Sequence, residues 1–347
     1  MRTALGRRRF WIIAFGSLLG WAQQQIAPIS GVTTEEGQRV SFDRGTYQSR
    51  ELTKRLPLQE PWPGGAAARP ALERYGLHQN TPNRVVPAMI ARGVYLVGQE
   101  RQSNLTYMID CGPAGVAIID PTYDSEFDLT LANVEKCGRR KEDIRWVLNT
   151  HCHVDHSMAD KKFHELGAQI LLHEDDADAV EKGTQVTAFA LVKGLTAFPR
   201  VPVGRRLVDG EEVELGNKRI RVVHTPGHTP GSACFLLEVD GKNLLFSGDT
   251  VLYDGRLGWQ GNPYADNRQY LSSLRKLAGF SWNGAPVQWD MLLPGHGAMT
   301  LDKAYLDVEK ARASVADSLA RGKDILSTPY ATPEYRKLMY GRPALKP

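Results

Sequence analysis

The stretch NTHCHVDHSMAD, residues 149–160, sets His151, His153, Asp155 and His156 within six positions. Imidazole is a common ligand for zinc and iron, and imidazole and carboxylate groups are costly to bury without a partner. A lone histidine is usually an ordinary surface or core residue. Four such side chains at the end of the apolar run DIRWVLNT form instead a loop that can turn several groups towards one point. The arrangement recurs downstream. RVVHTPGHT brings His224 and His228 to the end of a strand-like run, LLFSGDT brings Asp249, and MLLPGHG brings His296. Gly227, Gly248 and Gly295 stand beside these candidates, and glycine permits tight turns and close backbone approach. Separate strand ends that each deliver a potential ligand resemble a site assembled at one edge of a sheet.

The elements that must position these residues follow from periodicity and turn signals. GVYLVG (93–98), NLTYMID (104–110), GVAIID (115–120), DIRWVLNT (143–150) and AQILLHE read as strands. SEFDLTLANVEKC (125–137), SMADKKFHELG (157–167, with Ser157 as its cap) and DDADAVEKG read as helices. TQVTAFALVKGLTAFPRV reads as a helical flap over a pocket. Short strands follow in EEVELG, KRIRVVHT, SACFLLEV and KNLLFSGDT, then a helix over 266–280, a strand over 290–297, and helices near 301–320 and 331–340. The alternation argues for an α/β layered fold.

HCHVDH, TPGHTPGS, SGDT and PGHG, in that order, resemble the metallo-β-lactamase superfamily of metallohydrolases over about residues 90–300. The resemblance implies an αββα four-layer sandwich of the α/β class, with two metals at one edge between two sheets. The metals are most often zinc, with manganese or iron as substitutes. The resemblance assigns His151, His153 and His228 to one metal, Asp155, His156 and His296 to the other, and Asp249 to the bridge between them. It also implies hydrolysis, in which a hydroxide shared by the metals attacks an ester, lactone or related acyl carbonyl. Asp155 is the catalytic candidate for orienting or relaying a proton. His224 and Asp120 are expected behind the ligands, holding their loops, while His164 and His173 are expected away from the metals. β-Lactam hydrolysis is a second reading, but typical secreted β-lactamases lack a bridging carboxylate where Asp249 stands. A mononuclear iron, persulfide-dioxygenase-like oxidoreductase is a third, and it demands fewer ligands than this set offers. The loop YDGRLGWQGNPYAD (253–266) carries Tyr253, Arg256, Trp259 and Tyr264. These are expected to line the substrate pocket, with Phe189 and Phe198 on the facing wall.

The rest of the chain narrows the partners. Arg2, Arg7, Arg8 and Arg9 precede the apolar run FWIIAFGSLLGWA. This is the layout of a signal peptide over residues 1–25, with RRRF resembling a twin-arginine export signal. The run is shorter than the ~20 residues that span a bilayer, so no stable span is expected once the leader is removed. Residues 26–88 read as an irregular extension, 89–320 as the catalytic domain, and 321–347 as a tail with a short helix. Export to the periplasm or beyond is expected, and a cytoplasmic place if the leader is not a signal. The formal charge of +4 comes from the four leader arginines, which leaves 39 basic against 39 acidic side chains. A formally neutral body gives no support to nucleic-acid binding. A small acyl compound is the expected partner. The four cysteines, Cys111, Cys137, Cys152 and Cys234, contain no CxxC pair and form no disulfide framework.

Overall fold

The computed structural model describes residues 87–322 apart from 100–103, 193 and 297–298, together with the backbone of 32–33 and 39–40. The leader, nearly all of 26–88 and the helix expected at 331–340 lie outside the described residues.

A seven-stranded sheet is built in sequence order. Strands β1 (Ala88–Ala91), β2 (Val94–Gln99), β3 (Leu105–Asp110) and β4 (Val116–Ile119) form an antiparallel meander. Strands β5 (Ile144–Leu148), β6 (Gln169–His173) and β7 (Arg205–Leu207) continue in parallel. Parallel neighbours need crossovers. Helices α1 (Phe127–Lys136), α2 (Val154–Ser157), α3 (Asp160–Glu165) and α4 (Glu174–Lys182) lie in them. The second sheet has five strands: β8 (Glu212–Leu215), β9 (Lys218–His224), β10 (Ala233–Val239), β11 (Lys242–Gly248) and β12 (Met291–Pro294). It is antiparallel as far as β11, which β12 joins in parallel after α5 (Asn267–Ala278). Helix α6 (Tyr305–Ala320) closes the described body.

Successive side chains on a strand point to opposite faces, and here both faces are apolar. On β10, Phe235 and Leu237 enter the layer between the sheets, while Cys234 and Leu236 join Tyr270, Leu274, Val308 and Ala311 of α5 and α6. On β4, Ala117 and Ile119 face the second sheet, while Ile118 meets Val134, Phe163 and Val180 of α1, α3 and α4. Two sheets buried on both sides and flanked by helices give the expected αββα sandwich. Tyr107 and Phe246 meet edge to face across the central layer at 5.4 Å, and full burial of such a ring contributes about 1.5–3 kcal/mol. No described helix is long and apolar enough to cross a membrane.

Strand direction gathers the motifs. β4 and β5 run parallel, as do β11 and β12, so the loops after them leave at the same ends of their sheets. Backbone hydrogen bonds close the seam there, Ala233 N to Thr150 O and Leu105 N to Gly295 O at 2.8 Å each, and Gly295 N is bonded to Gly248 O of its own sheet at 2.8 Å.

Two local expectations are corrected. Ser157 does not cap a helix; its hydroxyl donates to the carbonyls of Cys152 and His153 at 2.9 Å each, tightening the histidine turn from inside. The expected flap is not a helix either. Two three-residue 3₁₀ turns, Gln185–Thr187 and Phe189–Leu191, meet at Ala188 with φ of +56°, which breaks any continuous helix.

Candidate metal centre

All seven side chains of the expected ligand set converge at that seam. Ligand atoms of His151, His153 and His228 lie within 4.8 Å of one another, as do those of Asp155, His156 and His296, and those of His151, His156 and Asp249. His228 Nε2 is 3.2 Å from His151 Nε2. Asp249 divides its carboxylate: Oδ2 lies 3.5 Å from His228 Nε2, while Oδ1 lies 3.5 Å from His156 Nε2 and 3.3 Å from His296 Nε2. Asp155 Oδ2 is 3.4 Å from His296 Nε2. The first group is fully buried. Asp155 and His296 keep 26% and 21% of their side chains exposed, so the cluster opens on their side.

The residues fit a cation. Buried polar atoms are normally paired, yet His153 Nε2, His156 Nε2 and Asp249 Oδ1 have no hydrogen-bond partner. The opposite ring edges are held. Asp120 takes the backbone N–H and the hydroxyl of Thr150 at 2.8 Å each, and its Oδ2 lies 3.1 Å from His156 Nδ1. With its proton committed to Asp120, Thr150 Oγ1 can only accept from His151 Nδ1–H, 3.1 Å away. Both histidines are thereby set with the proton on Nδ1 and a bare Nε2 facing the cluster. Asp120 reaches this position at φ of +50°, a strained conformation for a non-glycine residue that is typical of functional sites.

The electrostatics divide the cluster in two. Burial and the neighbouring imidazoles push His151 and His153 well below the ordinary histidine value. Burial also lowers His228, though Asp249 opposes it. On the open side, carboxylates outweigh burial. Asp155, Asp120 and Asp249 raise His156, and Asp249 and Asp155 raise His296. Burial pushes Asp249 up, but His296, His156 and His228 hold it below the usual carboxylate range. One side is thus a set of neutral donors. On the other, the carboxylates favour positive charge beside them, a charge that a bound metal would supply.

Two ligand loops are tied together by a residue the sequence did not single out. Asp176 of α4, fully buried, accepts from Cys152 N at 2.9 Å, Gly231 N at 2.7 Å and Thr229 Oγ1 at 2.7 Å. Asn104 donates to the Asp155 carbonyl and carboxylate at 2.8 and 3.2 Å, and Tyr270 donates to the carbonyls of Asp249 and Thr250 at 3.0 and 2.7 Å. None of these stands in a spacing pattern, so nothing short of tertiary structure marks them.

The close approach of the glycines is present. A Cβ on Gly295 would stand 2.5 Å from His156 Cε1 and 2.8 Å from Asp249 Oδ1. His224, expected behind the ligands, sits 2.9 Å by Nε2 from the Pro230 carbonyl and stacks on His173. His173, Asp175 and His224 also bring ligand atoms together. However, the His173 and His224 rings are 13° from parallel, whereas the rings of His151, His153 and His228 stand 77–78° apart. Imidazole binds a metal in its ring plane, so parallel stacked rings send their lone pairs side by side rather than to one point. That trio is a packing contact.

Two of the expected pocket residues, Phe198 and Tyr253, are covered. Phe198 is 3% exposed and lies in the apolar layer behind the first sheet with Phe163 and Val201; Phe189 packs half-buried against the same layer. They were expected on a wall, but the 195–203 segment crosses the outer face of the sheet, where Phe198 is covered, and Phe189 of the preceding turn leans on the same layer. Tyr253 is also 3% exposed, with the Arg256 guanidinium 5.4 Å over its ring. Tyr264 is exposed, and the Trp259 indole packs against Gly261. The loop 253–266 reaches the cluster through Gly258, Gln260 and Asn262. Gly258 N donates to the Asp249 carbonyl at 2.9 Å, Gln260 lies against the His228 ring, and Asn262 donates to the His228 carbonyl at 3.1 Å.

A four-layer sandwich with a histidine–carboxylate cluster at the seam of its sheets defines a class of metal-dependent hydrolase. The sequence profile of the Metallo-beta-lactamase superfamily matches residues 100–281, and the chain belongs to that family. It is 33% identical to a hydroxyacylglutathione hydrolase of Anaeromyxobacter dehalogenans, over 62% of this chain and 72% of that protein. It is 29% identical to a probable metallo-hydrolase of Methanocaldococcus jannaschii, over 52% of this chain and 82% of that protein. It is 32% identical to an acyl-coenzyme A thioesterase of Gallus gallus, but over 42% of this chain and only 54% of that protein. Among solved structures, a metallo-β-lactamase of Cronobacter sakazakii with a HARLDQ motif is 26% identical at a TM-score of 0.55, covering 70% of this chain and 96% of that one. The FEZ-1 metallo-β-lactamase of Legionella gormanii, 21% identical at a TM-score of 0.57 over 70% of this chain and 98% of that one, shares the fold.

Proposed function

We propose that this chain is a two-metal hydrolase, with zinc as the working metal, that cleaves acyl esters, lactones and thioesters. The observation that carries the reading is the split carboxylate of Asp249, one oxygen on each histidine group. Nitrogen and carboxylate donors suit zinc, and manganese or iron can load similar sites. Metal held here supplies Lewis-acid activation of water and polarisation of the acyl carbonyl. The protein supplies the rest. His151 and His156 are held in one tautomer by Thr150 and Asp120. The exposure of Asp155 and His296 makes theirs the side a substrate approaches. Asp155, steadied by Asn104, stands where it can take the proton that water loses on attack and return it to the departing oxygen or sulfur.

The names of the relatives favour acyl substrates, thioesters among them. β-Lactam hydrolysis has the solved neighbours in its favour and Asp249 against it. Metal content after reconstitution of stripped protein tests the core of the proposal; saturation at fewer than two metals per chain overturns the binuclear reading. A panel of aryl esters, lactones, acyl thioesters, β-lactams and phosphodiesters, run on wild type and Asp249→Ala, tests the substrate class. Acyl turnover that the substitution reduces by at least about 10²-fold is expected, given the several kcal/mol that Lewis-acid stabilisation provides. Turnover of a phosphodiester alone overturns the substrate reading.

A further inference from the structure

We infer that Gln260 is a positioning residue for His228, and that its carboxamide presents oxygen, not nitrogen, to the imidazole. The inference rests on the reading of His228 as a metal ligand and adds to it a residue outside the ligand set. His228 Nε2 is the atom that faces His151 Nε2 at 3.2 Å and Asp249 Oδ2 at 3.5 Å. Any ligand role therefore requires Nε2 bare and the ring proton on Nδ1. Among the described residues, the group hydrogen-bonded to Nδ1 is the Gln260 carboxamide, 3.3 Å away. With Nε2 of Gln260 towards Nδ1, a donor faces an atom that must itself be a donor, while Gln260 Oε1 is buried with no partner. Oxygen and nitrogen of a carboxamide are distinguished by the hydrogen bonds they make, not by shape. Exchanging them puts Oε1 on Nδ1–H. It gives up only a long 3.4 Å contact from Gln260 to the Gly258 carbonyl. Gln260 is 1% exposed, so water does not compete for the ring proton.

The backbone around Gln260 supports the role. Gly258 N is bonded to the Asp249 carbonyl at 2.9 Å, and Asn262 Nδ2 to the His228 carbonyl at 3.1 Å. A Cβ on Gly258 would stand 2.5 Å from Asp249 Cβ, so the strap lies directly on that residue. Residues 258–262 thus hold His228 at ring and carbonyl while touching Asp249, and Gln260 fixes the tautomer. His151 and His156 receive the same service from Thr150 and Asp120.

The test compares Gln260→Glu with Gln260→Leu. Glutamate is an acceptor only, so it can replace the oxygen of the proposed arrangement but not the donor of the alternative. Zinc affinity of stripped protein, read by competition with a chromogenic chelator, is expected to fall about 10–100-fold in the leucine variant. It should be kept or tightened in the glutamate variant. In zinc-loaded protein, the slowly exchanging Nδ1–H proton of His228, followed by imidazole NMR, should persist in wild type and the glutamate variant and be lost to exchange in the leucine variant. Equal losses in both variants overturn the orientation. Unchanged zinc affinity in the leucine variant overturns the positioning role. Failure of wild type itself to bind zinc would strike the metal reading instead. If the leucine variant does not fold, the glutamate variant alone decides: wild-type-like affinity and Nδ1–H signal sustain the inference, and their loss in folded protein defeats it.

Discussion

At the scale of single residues, the cluster is arranged by groups that touch no ligand atom directly facing its centre. Asp120 is the clearest case, because one carboxylate orders Thr150 and His156 together and, through the Thr150 hydroxyl, His151. Asp120→Asn keeps the size of the side chain but replaces a charged acceptor with a neutral amide. Metal affinity is expected to drop about 10–100-fold, the usual cost of losing such a partner, with little change in the fold. Chelator competition measures it, and unchanged affinity would remove Asp120 from the positioning network. His173 makes a second prediction. Burial and His224 lower its pKa from the ordinary 6.5 to about 4, with Asp175 and Asp209 opposing and Lys276 adding to the shift. Its folded value lies below its unfolded one, so the unfolded chain takes up the proton first. Stability contributed by neutral His173 is intact above pH 6.5 and lost as pH falls towards 4. Urea unfolding across that window should show a shallower pH dependence in His173→Gln than in wild type; parallel curves would deny His173 its part. The expected ligands were legible because each sits in a short motif at a strand end. Asp176, Asn104, Gln260 and Thr150 were not, since a common polar residue acquires its role only from what folding sets beside it.

At the scale of elements, the site depends on loops that share fixed posts. Asp176 lies in the first turn of α4, yet its three bonds go to the loop after β5 and to the turn between β9 and β10. These are the loops that carry His151 and His153 on one side and His228 on the other. Asp176→Ala leaves the buried N–H groups of Cys152 and Gly231 without an acceptor and the Thr229 hydroxyl with Ser232 alone, and bonds to a charged acceptor contribute about 1.5–3 kcal/mol each. Relaxation and water entry recover part of that, so a net loss of about 3–5 kcal/mol is expected, with weaker zinc binding alongside. Chemical denaturation and zinc titration measure the two effects; a loss below about 1 kcal/mol would mean that the loops hold themselves. The strand pattern was readable because apolar runs bounded by turn residues are short-range signals. The 184–201 segment misled because its apolar side chains suit a helix, a flap or a layer under a sheet equally well. Phe198 was settled by the exposed outer face of the first sheet, which required covering. Ser157 shows a competition of the same kind: a hydroxyl suited to capping found two carbonyls in the preceding turn.

At the scale of the whole molecule, the candidate ligands belong to two sheets. His151, His153, Asp155 and His156 follow β5 of the first, while His228, Asp249 and His296 follow β9, β11 and β12 of the second. Each candidate metal group draws from both: His228 joins His151 and His153, and His296 joins Asp155 and His156. Metal bound here therefore links the halves of the sandwich as well as serving chemistry. The apolar layer between the sheets, with Tyr107, Phe235, Phe246 and Leu293 buried, supplies cohesion without it. The stripped protein should thus remain folded but less stable. Binding that favours the folded state adds about 4 kcal/mol when free metal exceeds Kd a thousandfold. In a domain of 150–250 residues each 1 kcal/mol moves Tm by about 2–4 °C, so a rise of roughly 10 °C on zinc addition is expected. Calorimetry of EDTA-treated protein with and without restored zinc measures the rise. In Asp249→Ala the rise should shrink, because that residue contributes to both groups from the second sheet. Coincident melting curves for stripped and restored wild-type protein would show that metal does not join the two halves.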